Sequence, residues 1–221
     1  MHPTRRPRVK VCCIRSVEEA WVAIRHGASA LGLVSAMPSG PGVIPDETIR
    51  EIARAVPPGV ASFLLTSRQD VPSIAEQQRR LRPTTLQLCD RLIAGTHGEL
   101  RAALPGVGIV QVVHVTGPES VEEAVRVAGD VDAILLDSGN QALAVKELGG
   151  TGRRHDWNTS RRIREAVSVP VFLAGGLRAE NLADAIAEVG PFALDVCSGV
   201  RTDGRLDEEK LGRFFDAVAA A

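Results

Sequence analysis

Residues 169–200 read VPVFLAGGLRAENLADAIAEVGPFALDVCSGV. Val169–Ala174 is an apolar, β-branched and aromatic run closed by Gly175-Gly176-Leu177. Leu182–Val189 then places apolar residues at three- and four-residue steps, the period of an amphipathic helix. Gly190 follows, as a left-handed helix end requires, and Ala193–Cys197 is a second apolar run closed by Ser198-Gly199-Val200. Strand, helix, strand in so short a span forces parallel pairing with a right-handed crossover.

The unit repeats towards the N-terminus. Further strands are expected at Val9–Ile14, Ala30–Val34, Ala61–Leu65, Thr85–Leu88, Ile109–His114 and Ala133–Asp137. Helical patterns between them include Val17–His26, Thr48–Ala55, Ile74–Leu81 and Val121–Ala128, with Ser16 capping the first and Pro118–Ser120 opening the last. Gly27 and Gly129 are expected to end helices as Gly190 does. The strand interiors are apolar, as burial on both faces demands. Eight units in 221 residues leave under 28 residues for each, which favours closure into a (β/α)8 barrel of the TIM-barrel type over an open doubly wound sheet. No Pro-, Gly- or Ser-rich linker divides the chain, so residues 1–221 are expected to form a single domain.

Composition excludes several functions. Hydrophobic residues make up 44% and charged residues 24%, which is not the make-up of a disordered chain. With 26 basic and 27 acidic residues the net charge is −1, leaving no electrostatic case for nucleic acid or an anionic membrane. Tyrosine is absent and aromatics total 3%, which weakens any reading built on base stacking. The apolar runs are too short to cross a bilayer, and the apolar stretch after Lys10 stops at Arg15, too soon for a signal peptide. Cys12, Cys13, Cys89 and Cys197 show no zinc-type spacing, so reduced thiols in a cytoplasm are expected.

In such a barrel chemistry gathers where strands end and loops begin. Cys12, Gln87, Asp137, Asp195 and Ser198 stand there, with the glycine-rich loops after strands six, seven and eight. Loops after strands seven and eight commonly cradle a phosphate on backbone N–H groups, and glycine removes the Cβ that would block the anion. That points to Gly175, Gly176, Ser198 and Gly199, although Gly175-Gly176 also suits a plain turn. The long loop carrying Gly149-Gly150-Thr151-Gly152 reads as a lid or binding loop, or as flexible surface, and Gly150 joins the phosphate candidates. Asp137 ends an apolar strand, as a catalytic acid or as a solvated cap. Period-two alternation puts Lys10 and Cys12 on one face and Val11 and Cys13 on the other. A strand cysteine is ordinarily a small buried hydrophobe, but a buried ammonium needs a partner, and closure would offer Lys10 the carboxylate of Asp195.

These strings also resemble a family. Lys10-Val11-Cys12-x-Ile14 is similar to the K-I-C-G-I opening of phosphoribosylanthranilate isomerases, and Leu86-Gln87-Leu88 to the start of their V-Q-L-H-G. Leu135-Leu136-Asp137-Ser138, then Gly149–Gly152 with Asp156-Trp157, resemble L-L-D-S and G-G-T-G-K-x-F-D-W. Residues 170–177 and Asp195-Val196-x-Ser198-Gly199-Val200 complete the series. The resemblance implies the Amadori rearrangement of N-(5-phosphoribosyl)anthranilate, a small phosphorylated sugar substrate, in tryptophan biosynthesis, with no metal or organic cofactor and a monomer or homodimer. It implies Cys12 as general base and Asp137 as general acid, with Lys10, Arg15, Gln87 and Asp195 around the substrate.

The chain departs from the pattern in places. Cys13 stands for the glycine after the base, Cys89-Asp90 for His-Gly, and Arg201 for a glutamate. Ser39-Gly40-Pro41-Gly42 stands where S-P-R-Y is expected, so the arginine suited to the anthranilate carboxylate is missing. Either Arg15 or Arg201 takes its place, or the substrate lacks that carboxylate. The alternatives to the anthranilate isomerase are a phosphosugar isomerase with another aglycone and a sugar-phosphate-binding relative without catalysis.

Overall fold

The last barrel strand pairs with the first. In the computed structural model, which describes residues 6–150 and 152–221, β1 (Arg8–Val11) lies parallel to β8 (Ala193–Val196), with Lys10 in register with Asp195. Between them run α1 (Val17–Arg25), β2 (Ala30–Val34), α2 (Asp46–Ala55), β3 (Ala61–Thr66), α3 (Val71–Leu81), β4 (Thr85–Leu88) and α4 (His97–Ala103). Then follow β5 (Gly108–His114), α5 (Glu119–Ala128), β6 (Ala133–Asp137), α6 (Trp157–Ala166), β7 (Val171–Leu173) and α7 (Leu182–Val189), and α8 (Glu208–Ala220) ends the chain. The eight strands form one closed parallel barrel in sequence order, as the alternation predicts.

Local chemistry sets the helix starts. Ser16 accepts the Glu19 N–H at 3.2 Å and Asp70 the Ser73 N–H at 2.9 Å; Thr96 and Glu99 form a reciprocal capping box. Gly27 and Gly190 take positive φ at helix ends, whereas Gly129 does not: with φ −70° it stays right-handed as the chain turns into Asp130.

The apolar interior divides in two. One cluster, including Val9, Val11, Leu31, Leu64 and Trp157, lies between sheet and helices. The other fills the barrel with Ala30, Phe63, Val110, Leu135, Phe172 and Ala193. Alternate strand residues feed each cluster, which is why the runs read as continuously apolar.

Three strands end or begin inside the expected runs. Pro170 has no amide for the ladder, so β7 starts at Val171. β8 stops at Val196, before the turn at Ser198–Val200. β1 stops at Val11; Cys12 N–H still bonds Val196 O at 2.8 Å, but Cys13 takes φ +62° and breaks the pleat.

Candidate active site

A cavity opens at the C-terminal ends of the strands. Cys12, Gln87, Asp137 and Asp195 line it, and so do Gly150, Gly175, Gly176 and Ser198. Residues scattered between positions 12 and 198 thus meet in one hollow because the barrel closes.

Asp137 ends β6 in register with His114 of β5, and its Oδ1 accepts the Ser138 N–H at 2.7 Å. Gly149 passes so near that a Cβ there would stand 2.6 Å from Oδ2. Burial pushes the Asp137 carboxyl above its ordinary range; the Ser138 N–H and His114 oppose that without cancelling it. His114 Nε2 donates to Cys89 O at 3.0 Å, because a carbonyl only accepts, and this fixes the ring.

Cys12 is buried, and its sulfur lies over Gly32 of β2: a Cβ on that glycine would come within 2.7 Å of Sγ and 3.1 Å of Lys10 Nζ. The ammonium and the thiol therefore converge on one point. Lys10 is wholly buried and pairs with Asp195 at 2.8 Å, the partner its strand position predicts. Burial alone would push this ammonium down, but the Asp195 carboxylate and the neighbouring thiols hold it above its ordinary value. Asp195 lines the cavity and Lys10 does not, so Lys10 lies beneath the surface rather than on it.

A second hollow adjoins the first and shares Gly152, Gly176, Leu177 and Ser198 with it. Gly199 belongs to this outer hollow, where Arg178, Lys210 and Arg213 bring positive charge and Glu180, beside Arg178, a negative one. Gly199 packs against the Leu177 carbonyl so tightly that a Cβ has no room. Thr151 of the glycine loop lies outside the described residues.

The two arginines considered for a substrate carboxylate are placed elsewhere. Arg15 is exposed and reaches Gly204 O at 3.2 Å, outside the cavity. Arg201 is buried against Glu19 and donates to Cys12 O at 3.1 Å and Cys13 O at 2.5 Å, so it fixes the backbone that carries Cys12. Among the described residues no arginine, lysine or histidine lines the inner cavity.

Cys13 corrects the period-two reading. Alternation sends it away from Cys12, but its positive φ turns it into the same cavity, where its sulfur meets that of Cys197. The signal was present in the sequence as a cysteine in the place of a glycine. Asp90, which replaces the glycine of the family's His-Gly, pairs with Lys146 at 2.5 Å, and Pro41 of the altered loop after β2 stands on the wall. Met37 and Leu148 join it there with no signal in the sequence, because loops carry no periodic pattern. His155, in the place of a phenylalanine, is buried against Ser160 Oγ at 2.7 Å, and burial pulls it down to about 4.

Comparison with known proteins agrees with this fold. The family model for N-(5′-phosphoribosyl)anthranilate isomerase matches residues 9–217. The N-(5′-phosphoribosyl)anthranilate isomerase of Methanocella arvoryzae is 36% identical over 208 residues, covering 94% of this chain and 95% of that protein. The phosphoribosyl anthranilate isomerase of Thermotoga maritima superposes with a TM-score of 0.79 at 28% identity, over 97% of this chain and 100% of that one. A solved phosphoribosyl anthranilate isomerase in complex with reduced 1-(o-carboxyphenylamino)-1-deoxyribulose 5-phosphate superposes at 0.77 and 26% identity, over 97% and 100%. The chain belongs to the N-(5′-phosphoribosyl)anthranilate isomerase family, and its activity is that isomerisation.

Proposed function

We propose that Asp137 and Cys12 are the acid and base of this isomerisation. The observation that carries the assignment is their position: side chains from the sixth and first strands line one cavity, which continues into the glycine loops after β7 and β8. Asp137 gives its proton to the furanose ring oxygen as the C1–O bond breaks and the anthranilate nitrogen forms a C1 Schiff base. Its burial supports this role, because a carboxyl held above its ordinary range keeps a proton to give. Cys12 then removes the C2 proton; the electrons of that bond form the C1–C2 double bond, and those of the C=N bond return to nitrogen. The enolamine tautomerises to the ketone. Lys10, fixed by Asp195, brings a positive charge to the sulfur that accepts this proton.

The substrate phosphate rests on backbone N–H groups around Gly150, Gly175, Gly176, Ser198 and Gly199, with Arg178, Lys210 and Arg213 adding a positive field from the outer hollow. Gln87 and Asp195 face the ribose. Arg15 has no part in this arrangement, and Lys10 acts through Asp195 and Cys12. The anthranilate ring lies towards Met37, Pro41 and Leu148, a neutral wall. A thiol base must stay reduced, as a cytoplasmic setting provides.

The test generates the substrate in situ and measures its consumption by the wild type, Cys12→Ala and Asp137→Asn. Each variant is expected to lose about two to four orders of magnitude in kcat while remaining folded. Unchanged turnover in either removes that residue from its role. Rescue of a tryptophan auxotroph by the wild type but by neither variant extends the test to the cell.

A further inference from the structure

Cys13 and Cys197 are 184 positions apart in sequence, yet their sulfurs are in direct contact, 2.8 Å apart. Both are free thiols. Three features hold them there. Cys13 takes φ +62°, a conformation non-glycine residues rarely adopt, and this aims its side chain at the end of β8. The loop after β2 makes room: a Cβ on Gly42 would stand 2.7 Å from the Cys13 sulfur, and Pro41 O lies 3.7 Å from that sulfur. Arg201 clamps the Cys12 and Cys13 carbonyls from behind.

We propose that Cys13 and Cys197 are an oxidisable dithiol, which a peroxide converts to an intramolecular disulfide joining the end of β1 to the end of β8, one residue from Cys12. The two sulfurs are unlike. The hydrogen bond with Cys13, and after it the charge of Arg201, hold Cys197 below the ordinary thiol value against its own burial. Hydrogen bonding with Cys12, then with Cys197, together with burial, pushes Cys13 well above it. Cys197 also borders the cavity and is partly open, so the peroxide meets it first. Its thiolate attacks one peroxide oxygen, the O–O bond breaks and water leaves, giving a sulfenic acid. The Cys13 sulfur then attacks the sulfenic sulfur, and its proton departs with the hydroxyl as a second water. Two thiols lose two electrons and two protons, and one peroxide becomes two waters. The bond would tie the backbone bearing Cys12 covalently to the loop bearing Ser198, one residue from Cys197.

The experiment treats the reduced full chain with hydrogen peroxide, alkylates the remaining thiols and measures intact mass, crosslinked peptides and turnover. The expected result is a mass lower by two hydrogens, a linkage between the fragments holding Cys13 and Cys197, and turnover that falls in step with the linkage and returns with dithiothreitol. Cys12→Ala keeps the linkage, which assigns it to Cys13 rather than its neighbour. Cys13→Gly, free of the backbone penalty at that position, forms none and accumulates oxygen on Cys197. The proposal is overturned if Cys13 and Cys197 still alkylate once Cys12 is oxidised, if Cys13→Gly still loses two hydrogens, or if turnover stays full with the linkage complete.

Discussion

The two sides of the cavity are built on opposite plans. On the side of β7 and β8 the chain presents Gly175, Gly176, Ser198 and Gly199, with Arg178, Lys210 and Arg213 around the outer hollow. On the side of β2 it presents Met37, Ser39, Gly40 and Pro41, with Leu148 from the loop after β6 and, among the described residues, no cationic side chain. One side is suited to a dianion, which needs directed N–H groups and positive field. The other is suited to a flat ring, held by shape and apolar contact. On the proposed assignment, charge recognition is concentrated on the side of β7 and β8, and the aglycone is left to a neutral surface.

The largest expected effect lies between the two sides. Asp137→Asn should lower kcat by about two to four orders of magnitude on either plan. It should also flatten stability against pH. The wild-type carboxyl takes its proton more tightly folded than unfolded, so stability is lost as pH rises from the ordinary carboxylate range through the raised folded value. Denaturant titrations across that window should slope downwards for the wild type and lose that slope in the variant.

Next is the buried charge pair between β1 and β8. Lys10→Met strands the Asp195 carboxylate, and removing one partner of a buried pair costs about 3–5 kcal/mol, to be read from urea midpoints. Because Lys10 is held above its ordinary value, this contribution persists to the usual lysine range and fades as pH rises beyond it. Gly199→Ala sharpens the contrast: its Cβ meets the Leu177 carbonyl, so the loop shifts. KM for the phosphorylated substrate should rise, while a dephosphorylated analogue should bind as before.

The smallest effects test the neutral side. An analogue lacking the ring carboxylate should bind within about 1.4 kcal/mol, a factor of ten, of the substrate's affinity. A loss of hundreds-fold would mean that a cation serves that carboxylate and would erase the difference between the sides. Arg15→Ala, at an exposed position outside the cavity, should change stability by less than about 0.5 kcal/mol and leave kcat/KM unchanged.

Sequence alone determined the barrel and much of its mouth. Apolar runs alternating with helical periods admit few topologies, and in a parallel strand the last polar residue before the loop points to the open end. Asp137, Gln87, Asp195 and Ser198 were legible on those grounds, and the Lys10–Asp195 pair followed once β8 was set beside β1. The tertiary structure alone decided what Cys13 and Arg201 do. Period-two alternation holds only while the backbone is extended, and a single residue at φ +62° sends Cys13 to the face that alternation denies it. Arg201 could be matched with a substrate carboxylate until Glu19 and two backbone carbonyls were found around its guanidinium. The raised Asp137 carboxyl likewise depends on burial that no neighbour in sequence reports, since desolvation is set by whatever the closed barrel packs around a group.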